Sequence, residues 1–495
     1  MSNFNTDNAM NFFVNRAMGI GNSGVEHAQF YRAKRFDQVG LPYKFIFVQL
    51  VKELHSAMDA WNLKNDQVIN MYEYFVLGTE YLKSGVQHFY KEKSYVTVDS
   101  TKTNRLINTI TSSGMQVIET AVKYESRKEK GFLIVRISTV EIYDYSNGKR
   151  KVRLDFYDNN KGEIVIKNIH LFDEDGQHMF FSSEVELQRY FFTKVDEFYG
   201  NNNNWFLDRG EESEVALFYP KPKGRKIIEV VHADHLSDRN DKRYPLWNNY
   251  YEYALTHVSR IDKIVSGTNI QTKDLLIDFP KCSEKFVTIP VGGVEDVDSV
   301  DKVESNKTVP PLHLITASRL ASEKHIDIVV RAVAQIKNSG VDICLDIYGA
   351  GGEQKHIQDV ITTEGANDYI KLRGLSHHLN EIYPKYDAFI TGSWSEGFGL
   401  TTIEALSSGL PVIAHAARFG SLEMIDDGIN GFLQPFKMGD ENLIFNVNSL
   451  SDGIKRLLQS DYPKVKNATR SSMNSYKNSV IAKKWKEFVY ALRNN

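Results

Sequence analysis

Two carboxylates and two cations in the C-terminal half of this 495-residue chain are spaced to handle a phosphorylated ligand. Glu396 and Glu404 lie in Gly392-Ser-Trp-Ser-Glu-Gly-Phe-Gly-Leu-Thr-Thr-Ile-Glu404, and Arg319 and Lys324 in Ser318-Arg-Leu-Ala-Ser-Glu-Lys-His325. A carboxylate accepts hydrogen bonds from sugar hydroxyls, and glycines at 397 and 399 let backbone N–H groups come close to a phosphate. On one helix the two glutamates would diverge by roughly 80°, whereas a loop glutamate followed by a helix glutamate can converge on one ligand. Arg319 offers directional donors and Lys324 a mobile point charge near a helix start, a combination that clamps a diphosphate. Solvated surface charges are the plain alternative for all four.

Two further groups invite chemistry. His232-Ala-Asp-His235 follows the strand-like run Lys226-Ile-Ile-Glu-Val-Val231, where an imidazole could orient an acceptor hydroxyl or hydrogen-bond a sugar. A pair of hydrogen-bonded structural histidines fits equally well. The spacing is not the i,i+4 zinc pattern, and no metal is expected. Near the start, Ala17-Met-Gly-Ile-Gly-Asn-Ser-Gly24 is a flexible turn that could bring backbone close to a nucleotide, sugar or acceptor. It lacks the closing Gly-Lys-Ser/Thr of a phosphate loop, and a tight structural turn is the other reading.

The elements around these residues alternate as strand and helix. Asn11 to Arg16, the helical stretch Val25 to Val39, and Tyr43 to Leu50 give the opening of a doubly wound α/β lobe. Lys226 to Val231, Ile261 to Val265 and Phe286 to Pro290 continue it. A second lobe starts at Leu312 to Ala317, continues through a helix from about His325 to Ile336 and the strand Val341 to Tyr348 ending at Gly349, and then reaches strands at Tyr369 to Leu372, Tyr386 to Thr391 and Pro411 to Ala414. Gly420 to Glu423 reads as a tight turn. Ser475 to Leu492 reads as an amphipathic helix with Val480, Trp485, Phe488, Val489 and Leu492 on its apolar side.

Between the strands of the first lobe the texture changes. Met71-Tyr-Glu-Tyr-Phe75 is an aromatic strip suited to a core. From about residue 91, runs such as Ser94 to Val98, Phe132 to Ile137, Val152 to Tyr157, Glu163 to Ile166 and Val185 to Tyr190 have strand composition, with turns at Gly148 and Asp158 to Gly162. The basic groups Arg127 to Lys130 and Lys149 to Arg153 read as solvated turns. Asn201 to Asn204 is a brief polar tract, and Asp296 to Pro311 a linker. The expected architecture is two doubly wound, Rossmann-like α/β lobes with a large antiparallel β insertion. Residues 1–50 and 215–305 form the first lobe, 51–214 the insertion, 306–474 the second lobe and 475–495 a helix packing back across the lobes.

Composition narrows the class. Hydrophobic residues make up 42% and charged residues 25%, as in an ordinary globular protein, and a formal charge of -3 gives no global attraction to nucleic acid. With two cysteines, no signal-like segment and no apolar run of membrane-spanning length, a reducing compartment is expected. The 28 Phe and 25 Tyr leave room for peripheral membrane contact.

Taken together, Glu396, Glu404, Arg319, Lys324 and the glycine turn resemble the retaining glycosyltransferases of family 4. Asn22-Ser-Gly-Val-Glu-His-Ala-Gln-Phe-Tyr-Arg32, the β insertion and His232-Ala-Asp-His-Leu-Ser-Asp238 narrow this to the family of A subunits of accessory Sec system glycosyltransferases. The resemblance implies a GT-B type fold in which 306–474 binds the nucleotide sugar, and N-acetylglucosamine transfer from UDP-N-acetylglucosamine to serine or threonine of a serine-rich repeat adhesin. It implies a B subunit as partner, and a cytoplasmic site at the inner face of the membrane. It further implies catalytic roles for Glu396, Arg319, Lys324 and His232, and donor contacts from Gly21, Ser23, Gly24, Gly349, Gly397, Phe398, Gly399, Leu400, Thr401 and Glu404. A retaining enzyme acting on teichoic acid or a glycolipid, and a noncatalytic sugar-binding chaperone, are the competing expectations.

Overall fold

A computed structural model describes residues 9–20, 24–100, 104–126, 129–158, 163–174, 176–238, 244–296, 311–376 and 378–494. Gly21, Ser23, Arg127, the turn at 159–162 and most of the expected linker lie outside the described residues. The chain forms two compact units. One comprises Met1–Gln29, Leu41–Val230 and Asn249–Lys263, the other Phe30–Gly40, Val231–Asn248 and Ile264–Asn495.

The first unit is built on a short apolar strand, Asn11–Asn15, whose Phe12 and Phe13 are fully buried. Parallel neighbours flank it in the order Val68–Asn70, Tyr43–Phe47, Asn11–Asn15, Asn204–Leu207, Lys226–Val231. In chain order that is 3-2-1-4-5, the arrangement of a doubly wound sheet. The Asn201 to Asn204 tract is not merely a connector: Asn204 opens a strand, is 2% exposed, and its Nδ2 donates to Asn11 Oδ1 at 2.9 Å. A buried asparagine pair of this kind satisfies side-chain polar groups that an apolar-run criterion reads as loop.

The insertion enters between the third and fourth of these strands. It is a seven-stranded antiparallel meander running in order from Lys93–Val98 at one edge to Gln177–Phe181 at the other. Alternation buries Val117, Ile142, Val152, Leu154 and Leu171, while Tyr157, Ile164 and Phe180 stay exposed. The buried face packs on the helix Met71–Leu77, the expected aromatic strip, whose Phe75 ring lies 6.3 Å from Tyr190 and 6.1 Å from Phe191. Val185 to Tyr190, expected as a strand, belongs to the helix Glu184–Tyr199. Ser183 caps that helix by accepting from Glu186 N, and Leu187, Phe191, Phe192 and Val195 supply a helical apolar face.

The second unit contains, among the described residues, a six-stranded parallel sheet. Its order is Ile370–Gly374, Ile343–Tyr348, Leu312–Ala317, Ala388–Thr391, Val412–His415, Gly431–Gln434. This is 3-2-1-4-5-6 in chain order, and the reversal between Leu312–Ala317 and Ala388–Thr391 opens a crevice beyond their carboxyl ends. Leu314, Val329, Val333, Leu345, Ile347, Ile390 and Ile413 form the core beneath it. Gly420–Met424, expected as a tight turn, is a short helix. In the helix Asn478–Asn494, Trp485, Val489 and Leu492 are buried and Trp485 packs 5.8 Å from Phe36, but Val480 is 37% exposed and lies off the apolar face. No described helix is long and apolar enough to cross a membrane.

Candidate functional site

The two strands that border the crevice each feed a loop and then a helix. From Leu312–Ala317 the chain passes Arg319 and a single 3-10 turn, Ser322–Lys324, before the helix Ile326–Asn338. From Ala388–Thr391 it passes Glu396 and reaches the helix Leu400–Ser407 through Gly399, whose φ of +86° is the left-handed conformation glycine adopts without strain. These loops meet. Lys324 Nζ donates to Glu396 Oε1 at 2.7 Å, with the side chains 19% and 15% exposed. Water reaches this pair poorly, so neither charge can lose its partner cheaply. A ligand that takes Lys324 must itself be an anion, and one that takes Glu396 must offer donors. A phosphorylated sugar does both.

The remaining backbone around these loops is closely packed. Leu400 and Thr401 begin a helix with no side-chain cap, so their amides face outward as an anion site requires. Phe398 is 4% exposed, and its ring fills the space over Gly267 and Gly292, so only its backbone is available to a ligand. Gly397 has no room for a side chain: a Cβ built there would stand 2.1 Å from the carbonyl oxygen of His232 and 2.9 Å from Ala233 Cα. His232 is thus carried to the Glu396 loop, at the end of Lys226–Val231, and the Gln271 amide holds the turn by donating to Ala233 O at 2.7 Å. Gly349, with φ +137°, lies against the Ser318 carbonyl and shapes the loop that bears Arg319.

The sequence-derived residues do not all converge. Arg319 is 67% exposed by side chain and paired along its own segment with Glu323 at 2.6 Å, so it is within the loop but not joined to Lys324 and Glu396. Glu404 sits on the helix away from that pair, where the Tyr383 hydroxyl donates to its Oε2 at 3.4 Å. Crowding by protein pushes the Glu404 pKa up to about 7 against the opposing Tyr383 bond, although the residue keeps substantial solvent contact. Gly24, in the first unit, opens the helix Gly24–Val39, and a Cβ there would meet nothing within 4 Å.

His235 belongs to the structural reading. It is fully buried, stacks on Phe419 at 5.7 Å and lies 3.3 Å from Asp274, which also holds Arg418 at 2.6 Å. Among the described residues, no group of three or more His, Cys, Asp or Glu is arranged to hold a metal ion. The sequence reading missed Tyr383, His325 and Trp394. Tyr383 is fully buried beside Glu404, and His325 stacks on Trp394 across the two loops with ring centroids 3.7 Å apart. Only tertiary contacts reveal those partners.

Two doubly wound sheets, an antiparallel insertion, and a cation–carboxylate pair at a switch point define a two-lobed glycosyltransferase of GT-B type. Residues 299–477 match the family model described as glycosyl transferases group 1. The chain is 30% identical to the UDP-N-acetylglucosamine–peptide N-acetylglucosaminyltransferase GtfA subunit of Streptococcus agalactiae, over 86% of this chain and 88% of that protein. On that measure it belongs to the GtfA-subunit family. In structure it is similar to the pneumococcal O-GlcNAc transferase GtfA in complex with UDP and GlcNAc, at a TM-score of 0.71 and 26% identity over 99% of this chain and 100% of that one. It is also similar to a chain of a GtfA/B complex, at a TM-score of 0.73 and 25% identity over 98% of this chain and 100% of that one.

Proposed function

We propose that this chain transfers N-acetylglucosamine from UDP-N-acetylglucosamine to serine or threonine hydroxyls of a serine-rich repeat adhesin, with retention at the anomeric carbon and alongside a B subunit. One observation carries the reading: the Lys324–Glu396 pair, at 2.7 Å, sits where the strand order reverses. The relatives' names support the donor, a peptide acceptor and a B-subunit partner, and the family resemblance supports a serine-rich repeat adhesin as that acceptor. The β insertion, with its exposed aromatic residues and an edge strand exposed along its length, suits a polypeptide partner.

In this reading the donor diphosphate takes Lys324 from Glu396, and Arg319 turns from Glu323 to the same phosphates. The amides of Gly397, Gly399, Leu400 and Thr401 add hydrogen bonds as negative charge builds on the leaving UDP, which lowers the barrier because these bonds strengthen in the transition state. Glu396, released, accepts from sugar hydroxyls, and Glu404 accepts from the ribose. His232 positions a hydroxyl at the reacting face. The bond from the anomeric carbon to the phosphate oxygen breaks while a bond to the serine or threonine oxygen forms on the same face. The hydroxyl proton passes to the departing phosphate. The same reading places the enzyme in the cytoplasm, with any membrane contact peripheral.

The test is a reconstituted assay with the purified chain, a serine-rich peptide, and UDP-N-acetylglucosamine or UDP-glucose, with and without the B subunit. Peptide mass is expected to rise in N-acetylhexosamine steps, and Glu396→Gln to suppress them. Equal use of both donors would remove the donor assignment, and no sugar-sized increment under any condition would remove the reading altogether.

A further inference from the structure

The two loops of the candidate site are joined at a second place that the proposed chemistry does not use. His325, directly after Lys324, adopts φ +45° and ψ +45°, a left-handed state that suits glycine and that a residue with a side chain enters only against steric resistance. Its ring lies flat on Trp394, with centroids 3.7 Å apart and planes 23° from parallel. Trp394 stands two residues before Glu396. The stack continues from Trp394 to Phe436 at 6.2 Å and from Phe436 to His415 at 5.4 Å. His415 is fully buried, held neutral by that burial, and its Nδ1 donates to the Gly392 carbonyl at 3.0 Å, so the last ring ties back to the loop that carries Trp394. Gly392 itself leaves no space, because a Cβ there would come within 2.7 Å of the His325 carbonyl.

We propose that His325 and Trp394 are positioning residues: their stack fixes the spacing of the two loops and so holds Lys324 and Glu396 in register for the donor. The inference rests on the donor-site reading above. Its physical ground is that the Lys324–Glu396 ion pair cannot do this work during turnover, since the donor must separate its members. Once Lys324 faces phosphate and Glu396 faces sugar, the ring contact one residue from the first and two residues from the second still spans the loops. Trp394 Nε1 is buried without a hydrogen-bond partner, so the indole is kept in place by ring contact rather than by its polar edge. The left-handed backbone at 325 thus carries an imidazole where glycine would be easier, and the imidazole supplies the contact.

His325→Gly separates the two roles, since glycine relieves the backbone while deleting the ring. Each variant is compared with the unaltered chain for melting temperature and for kcat and KM with UDP-N-acetylglucosamine. His325→Gly is expected to melt at the same temperature or higher, yet to lose about tenfold to a hundredfold in kcat/KM, the scale of a misplaced catalytic group. Trp394→Ala is expected to lose a similar factor, the double variant little more than either single one, and Trp394→Phe to recover most of the activity. Wild-type turnover in a stable His325→Gly variant, or fully multiplicative losses in the double variant, would overturn the proposal. Absence of turnover and of UDP binding in the unaltered chain would instead strike the donor-site reading beneath it.

Discussion

Replacing Gly397 with alanine asks whether the approach of His232 to the Glu396 loop matters for turnover. The new Cβ would stand 2.1 Å from the His232 carbonyl oxygen, and real Cβ atoms essentially never come within 3.0 Å of such neighbours. One of the two segments must therefore retreat by about an ångström, and both are backbone. Small-to-large changes in packed surroundings cost about 1–3 kcal/mol in stability. A displacement of about 1 Å at reacting groups lowers rate by about a hundredfold. The chain is thus expected to remain folded but to lose about two orders of magnitude in kcat/KM for peptide glycosylation, measured by initial rates beside a thermal melt. Gly399→Ala is the control: its Cβ meets nothing nearer than Thr402 Oγ1 at 3.4 Å, and its penalty comes from the left-handed backbone at φ +86°. Gly397→Ala with unaltered kinetics would refute the placement of His232 and Glu396 in one site.

Three other outcomes follow. Arg319→Ala should leave stability within about 0.5 kcal/mol, because its pair with Glu323 is exposed, while lowering transfer by about a hundredfold or more if it stabilises leaving-group charge; equal losses in both measurements would mean a structural role. Glu229 is fully buried with neither oxygen hydrogen-bonded, and burial first, then Glu214 and Asp208, push its carboxyl well above the ordinary range, while burial pushes Glu214 to about 8. Folded-state pKa values raised in this way mean that the folded chain holds protons the unfolded chain releases, so stability should fall as pH rises from about 4.5 towards 8. Glu229→Gln should flatten that slope and stabilise the protein at pH 8 by about 1–3 kcal/mol in chemical denaturation; an unchanged pH slope would contradict it. Tyr383→Phe removes the bond that opposes the upward shift of Glu404, so calorimetric titration with UDP should show the acidic limb of binding move to higher pH, and an unmoved limb would separate Glu404 from the nucleotide.

The second unit was largely legible because its strands are short apolar runs, such as Leu312–Ala317, followed by glycine-bearing loops. Lys324 and Glu396 were legible by type and were brought to one site only by resemblance, while their direct contact was not foreseen, since nothing local links residues 72 apart in sequence. The helix Glu184–Tyr199 was misread because Val185 and Leu187 alternate with Glu186 and Gln188, and the helical period emerges only when Phe191, Phe192 and Val195 are included. His325 gave no signal at all. Its importance depends on a ring that arrives from another loop and on a backbone angle that composition does not encode. Val480 was assigned to the apolar face by residue type, although it is solvent-facing in the helix Asn478–Asn494.

The most direct measurement is the anomeric configuration of the glycosylated peptide, read by proton NMR after reaction of the chain and its B subunit with UDP-N-acetylglucosamine. The expected product carries N-acetylglucosamine on serine or threonine in the α configuration of the donor, and Lys324→Ala and Glu396→Gln each lose it. A β-linked product would contradict front-face transfer at this site, and an α-linked product formed at full rate by both variants would contradict the central role of the Lys324–Glu396 pair.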